Sequence, residues 1–246
     1  MTAYLARPDK PALAYRYRPG RGPTIVFLPG YRSDMEGGKA TALDAWAARE
    51  GRAMLRLDYS GCGASEGRFV DHDLDHWRED VLDAITAFAS QGPLLLVGSS
   101  MGGWLALLVA LALPERVKAL VGIAAAPDFT DWGFSADVVA LLERDGRIEE
   151  PSDYSDTPDV TTHAFWRSGQ GNLLLANEIA FDGPVRLLQG QLDETVPTSI
   201  ALRLSRALRS ADVQITLIKD GDHRLSRPED IDLLIATVAH LLEARC

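Results

Sequence analysis

A chain of 246 residues suits one large α/β domain better than two small ones, and 46% hydrophobic content excludes intrinsic disorder. The formal net charge of −10 argues against nucleic acid or an anionic membrane surface as the main partner. Two cysteines, Cys62 and Cys246, show neither a disulfide framework nor metal-ligand spacing, so a reducing compartment and no metal or other cofactor are expected. Met1 to Lys10 has no apolar core for a signal peptide. The longest apolar stretch, Trp104 to Leu113, is too short to span a bilayer. The expectation is a soluble, cytoplasmic protein without stable membrane insertion.

Along the chain, short Val/Ile/Leu runs alternate with segments at helical spacing. Ala12 to Arg18 reads as an early antiparallel edge strand, and Thr24 to Leu28 as the first clear strand, closed by Pro29 and Gly30. Ala40 to Glu50 reads as a helix stopped by Gly51, and Ala53 to Tyr59 as the next strand. From Asp75 to Ser90, Trp77, Val81, Leu82, Ile85 and Phe88 recur every three or four residues, predicting a helix. Leu94 to Gly98 is apolar on both faces, as a central parallel strand covered by helices must be. Gly102 to Ala112 (helix) and Val117 to Ala125 (strand) follow.

The alternation breaks between Asp128 and Phe181, where aromatic residues lie among charges and prolines, and residues 128–181 read as an inserted cap. It resumes with Val185 to Gly190 (strand), Thr198 to Leu208 (helix), Val213 to Ile218 (strand) and Pro228 to Ala244 (helix). This pattern predicts an α/β fold: a mainly parallel central sheet with helices on both faces and a small cap.

The most specific local signal is Gly98-Ser99-Ser100-Met101-Gly102, which follows a buried strand and opens a helix. In that context a sharp turn strains the central residue, and glycines two positions either side remove side chains that would collide. Ser100 is therefore the candidate nucleophile. Ser99 is not, because position 97 is Val. A serine hydroxyl needs a base. His72 and His76 lie in a charged helix start, His163 in the cap and His240 in the last helix. His223 lies in the loop after the last strand, at the sheet edge where the Ser100 turn emerges. The imidazole needs a carboxylate to fix its tautomer. Asp193, between a strand and a helix at that edge, is preferred over its rivals Glu194 and Asp222.

Two backbone N–H groups are expected to hold the oxyanion, those of Met101 and Tyr31. Trp132, Phe134 and Trp166 are the candidate pocket wall. The loop from Asp58 to Gly63 lacks the Lys-Ser/Thr ending of a phosphate loop and reads as a structural turn. The order Ser, Asp, His is that of α/β hydrolases.

Leu28 to Met35, Asp58 to Gly61, Val97 to Trp104, Asp193 to Pro197 and Gly221 to Arg224 together resemble the alpha/beta hydrolase domain-containing protein 10 group. Inside the cap, the match rests on Asp153-Tyr154-Ser155. The resemblance implies the α/β-hydrolase fold and a palmitoyl-protein thioesterase or acyl-glucuronide esterase activity. It puts nucleophile, acid and base at Ser100, Asp193 and His223. The chain is similar to a bacterial member of the group, starting at its domain without a transit peptide.

Long-chain S-acyl cysteine is the first substrate expectation and small carboxylic esters the second. A peptidase fits the compact cap less well. A catalytically idle binding protein of this fold would usually lack the nucleophile or the base. A dehalogenase would need a carboxylate at position 100. A lyase with the same three residues would cleave without consuming water. The sequence does not fix the oligomeric state.

Overall fold

A computed structural model describes residues 2–150 and 158–243; Asp153-Tyr154-Ser155, Ala244 and Cys246 lie outside the described residues. The elements of the first half are β1 (Ala3–Arg7), β2 (Lys10–Arg18), β3 (Arg21–Leu28), α1 (Gly38–Arg49), β4 (Arg52–Leu57), α2 (Leu74–Phe88), β5 (Leu94–Ser99), α3 (Met101–Ala112) and β6 (Val117–Ile123). Then come α4 (Phe129–Trp132), α5 (Ala136–Asp145), β7 (Arg147–Glu150), β8 (Asp159–Thr162), α6 (His163–Gly171), β9 (Val185–Gly190), α7 (Thr198–Ala207), β10 (Val213–Ile218) and α8 (Pro228–Glu243).

Eight strands form one sheet in the order β1-β2-β4-β3-β5-β6-β9-β10. The six from β4 to β10 run parallel, while β2 pairs antiparallel with both β1 and β4. The strand at 12–18 is therefore antiparallel as expected, but β1 rather than β2 takes the edge. The sequence reading missed β1, whose chain reverses through Pro8 and Asp9, with Asp9 at φ 58°.

The central strands read as continuous apolar runs because both faces are covered. Val26, Leu28, Leu94 and Leu96 pack with α2, α3 and α7 on one face. Ile25, Phe27, Leu95 and Val97 pack with α1 and α8 on the other. Trp77 and Trp104 are fully buried. Burying such side chains contributes roughly 1.5–3 kcal/mol each and fixes the helices over the sheet. No helix among the described residues is long and apolar enough to cross a membrane.

The chain between β6 and β9 leaves the sheet and carries α4, α5, the antiparallel pair β7–β8, and α6. Side-chain caps start its helices: Ser135 accepts the N–H of Val138, and Thr162 that of Phe165. Polar contacts tie this stretch down. Ser168 Oγ donates to Asp75 at 2.8 Å, and the Trp104 indole donates to the Asn172 carbonyl at 3.1 Å. Buried Asp128 accepts the N–H groups of Leu174 and Leu175. The Arg32 guanidinium bonds the Asp159 carboxylate and the Val160 carbonyl, joining β8 to the loop after β3.

The loop from Asp58 to Gly63 is filled by its own carboxylate. Asp58 accepts the N–H groups of Met35 at 2.7 Å and Ala64 at 2.9 Å, and a Cβ on Gly63 would fall 2.3 Å from it. That loop braces the chain after β3, which passes over Ser100.

Candidate active site

Ser100 sits between β5 and α3 with φ 53° and ψ −120°. A side chain there costs about 1–3 kcal/mol, so the surroundings must hold the conformation. The Ser100 N–H donates to the Ile123 carbonyl at 2.9 Å, and its own carbonyl accepts from Gly103 at 2.9 Å and Ala126 at 3.1 Å. The flanking glycines are required sterically. A Cβ on Gly98 would lie 2.2 Å from the Gly102 carbonyl oxygen, and one on Gly102 would lie 2.0 Å from that of Leu28.

Positive φ at a non-glycine residue recurs along this sheet edge: Arg32 after β3, Ala124 and Asp128 after β6, and Leu225 after β10. Among the described residues only Asp9 shows it elsewhere. Backbone strain of this kind gathers where a site must be shaped.

The loops after β9 and β10 bring Asp193 and His223 together. A Cβ on Gly190 would lie 2.3 Å from the Gly221 carbonyl oxygen, so only glycine lets these loops pass so closely. His223 Nδ1 lies 2.9 Å from Asp193 Oδ2, and the Asp193 side chain is 0% exposed. Its Oδ1 accepts the N–H groups of Thr195 at 2.9 Å and Val196 at 2.8 Å. Burial pushes the Asp193 carboxyl up, but the bonds from His223, Val196 and Thr195 outweigh it and hold the group below the usual carboxylate range. The rivals are placed otherwise. Asp222 accepts the Leu225 N–H at 2.9 Å, and Glu194 is exposed.

Ser100 and His223 line one cavity of about 650 Å³, bounded by Tyr31, Phe129, Trp132 and Phe134. Of the other histidines, His76 bonds Asp73 at 2.7 Å and His163 stacks on Trp166 at 5.5 Å; none of the four lines this cavity.

The loop over Ser100 is tight. A Cβ on Gly30 would lie 3.3 Å from Ser100 Cβ, and the Tyr59 hydroxyl holds the loop by donating to the Pro29 carbonyl at 3.0 Å. Tyr31 follows Gly30, and its ring packs against Phe165 at 4.8 Å and Phe69 at 5.1 Å. Met101 is the first residue of α3, so its N–H has no carbonyl four residues back within the helix.

Two of the three pocket candidates, Trp132 and Phe134, line the cavity. Trp166 does not. Its indole donates to the Thr130 carbonyl at 3.1 Å, which makes it a brace between α6 and α4. The sequence reading missed Phe129 as a wall residue. It also missed Gln189, fully buried at the end of β9, whose Nε2 donates to Asp193 Oδ2 at 3.1 Å and to the Val196 carbonyl at 3.0 Å. The available signal was an amide at the end of a short Leu-rich strand whose other polar residue, Arg186, pairs with Asp212.

The comparisons with known proteins agree with this architecture. The family model described as "Serine aminopeptidase, S33" matches residues 22–144. The chain is 40% identical to the mitochondrial palmitoyl-protein thioesterase ABHD10 of Homo sapiens, over 98% of this chain and 80% of that protein. The Rattus norvegicus counterpart gives the same identity over 82% of its length. The structure of alpha/beta hydrolase domain-containing protein 10 from mouse superposes with a TM-score of 0.91 at 38% identity, covering 100% of both chains. A crystal structure of an Agrobacterium vitis S4 protein gives 0.89 at 39% identity, covering 98% of both. The chain belongs to the α/β hydrolases, in the alpha/beta hydrolase domain-containing protein 10 family, and is a serine hydrolase.

Proposed function

We propose that the chain cleaves carboxylic esters or thioesters through an acyl-enzyme on Ser100, with His223 as base and Asp193 as the orienting acid. The observation that carries this reading is the Asp193–His223 pair at 2.9 Å, whose imidazole borders the cavity that also exposes the strained Ser100. With the carboxylate ionised, Asp193 fixes the Nδ1–H tautomer of His223 and leaves Nε2 free to accept. His223 takes the Ser100 proton as Oγ bonds the acyl carbon. The N–H groups of Met101 and Tyr31 hold the oxygen that becomes negative. Collapse breaks the bond to the leaving oxygen or sulfur, which receives the proton from His223. Water, deprotonated by the same imidazole, then attacks the acyl-enzyme; the Oγ–acyl bond breaks, Ser100 Oγ takes the proton back from His223, and the acid leaves.

Residues 128–181 act in this reading as a cap whose Phe129, Trp132 and Phe134 give the acyl group an apolar wall. The volume, about 650 Å³, lies within the ~300–1,000 Å³ usual for small-molecule pockets. Fatty S-acylated substrates come first, because the relatives named above are palmitoyl-protein thioesterases. The test is intact mass after a fluorophosphonate probe, on the wild type and on Ser100→Ala. One adduct that disappears in the variant is expected. An adduct surviving in Ser100→Ala, or none on folded wild type, defeats the assignment. Ester and thioester panels of increasing acyl length then rank the substrates.

A further inference from the structure

A second cavity, of about 500 Å³, opens onto the same Ser100 and His223. The two cavities share Tyr31, Ser33 and Arg224 and then diverge. The first runs under the insertion to its aromatic wall. The second runs along the start of α1, past Gly37, Gly38 and Lys39, to Ser226. Both walls are mixed, with Arg32, Asp159 and Thr195 in the first and Phe27, Pro29 and Ala40 in the second, but the aromatic cluster Phe129, Trp132 and Phe134 belongs to the first alone and Lys39, Asp34 and Ser226 to the second alone. Lys39 Nζ donates to the Arg224 carbonyl and lies 3.3 Å from Ser226 Oγ, so this ammonium bridges α1 to the His223 loop. Asp34 adds a carboxylate to this side of the cavity.

A tetrahedral carbon on Ser100 carries two substrate arms that must part from one point, the acyl chain and the leaving group. A hydrocarbon arm laid against Lys39, Asp34 and Ser226 would strip water from their polar atoms without replacing its hydrogen bonds. A hydroxylated or amide-bearing arm laid against Phe129, Trp132 and Phe134 would lose its own in the same way. We infer that the cavity beside α1 is the leaving-group site, that it selects a hydrophilic, hydrogen-bonding alcohol or thiol, and that the aromatic cavity holds only the acyl arm. This assignment rests on the Ser100–His223 reading. His223 borders both cavities, so a leaving oxygen or sulfur in either could take its proton, and proton delivery alone does not decide between them. What the assignment adds is which arm goes where.

Gly38 offers a way to test it. Gly38 lines the second cavity, a Cβ there meets nothing within 4 Å, and its φ lies outside the left-handed range, so Gly38→Leu adds bulk at this wall without backbone strain. Phe134→Ala widens the first cavity instead. Each protein is assayed on octanoyl esters of methanol, 1-hexanol and glycerol, and on methyl esters from acetyl to octanoyl. The wild type should favour the glyceryl over the hexyl ester. Gly38→Leu should lower the glyceryl-to-methyl ratio of kcat/KM by about tenfold while the acyl-length ratio holds. Phe134→Ala should shift the acyl-length ratio while the glyceryl-to-methyl ratio holds. A wild-type preference for the hexyl ester, an unmoved ratio in Gly38→Leu, or crossed effects between the two variants overturns the assignment. Turnover that survives Ser100→Ala removes the triad itself, a failure distinguishable from the others because it is indifferent to leaving group.

Discussion

Replacing Asp193 by asparagine keeps the size of the side chain, and its surroundings dictate how the amide must sit. Oδ1 accepts two backbone N–H groups, from Thr195 and Val196, which cannot reverse their polarity, so the amide oxygen must stay there. The amide nitrogen then replaces Oδ2 and faces both Gln189 Nε2 and His223 Nδ1. Gln189 can turn over to present Oε1, which has no partner now, at the cost of the Nε2 bond to the Val196 carbonyl. His223 accommodates the new donor only by leaving Nδ1 bare and carrying its proton on Nε2. That tautomer cannot accept the Ser100 proton. The expected loss in kcat is about 10⁴-fold, equivalent to about 5 kcal/mol in the barrier. Steady-state release of p-nitrophenol from an octanoyl ester measures it. A variant within about tenfold of wild type would refute Asp193 as the orienting acid.

The same substitution has a signed effect on stability. Because the folded pKa of Asp193 is depressed, its ionised form stabilises the fold above the unfolded value, about 3.9, and that contribution fades as pH falls through the lower folded value. Urea unfolding should show a wild-type advantage over Asp193→Asn at neutral pH that shrinks in acid. An advantage growing in acid contradicts the sign.

Ser100→Gly should unfold at higher denaturant than Ser100→Ala, by about 1 kcal/mol, because glycine relieves φ 53° while paying back part of the gain in unfolded-state entropy; equal midpoints would show that the turn is not strained. Trp166→Phe should cost about 1 kcal/mol through the lost bond to the Thr130 carbonyl and leave acyl-length preference alone, and a shifted preference would return Trp166 to the pocket wall. Burial pushes the Cys62 thiol up to about 12, so iodoacetamide at mildly alkaline pH should modify Cys62 only after unfolding, read by peptide mass; ready labelling of the native protein would mean that the loop opens.

The sheet was legible because a strand covered on both faces has no polar face to keep. Leu94 to Gly98 could not be exposed on either side, and Val185 to Gly190, buried throughout, fell at its observed bounds; the edge strand Val213 to Ile218, exposed in part, was read from its Val/Ile/Leu content instead. The Ser100 turn was legible for a steric reason: the collisions that a Cβ on Gly98 or Gly102 would make are what give that spacing its information. The insertion was harder. Its short helices are set by caps such as Ser135 and Thr162 rather than by several turns of periodicity, so α5 and α6 did not stand out among the charges. Aromatic content showed that an apolar surface existed there without showing which way each ring turned. Phe129 and Trp166 could therefore exchange roles without any change in pattern.

The strain around the site follows the same division. Arg32, Ala124 and Leu225 are ordinary residue types in a conformation they disfavour, so nothing in the sequence announces them. What holds at least two of them is long-range or loop-closing hydrogen bonding: the Ala124 N–H reaches the Leu188 carbonyl on β9 at 2.8 Å, and the Leu225 N–H reaches Asp222 Oδ1 at 2.9 Å. The Asp222 bond also explains why the carboxylate nearest His223 in sequence is not its partner. Its oxygen is needed to close the turn that carries the imidazole, which leaves the buried and more distant Asp193 to orient the ring. The choice between the two carboxylates is thus made by backbone N–H groups: one at Leu225 takes Asp222, while those at Thr195 and Val196 hold Asp193 in line with Nδ1.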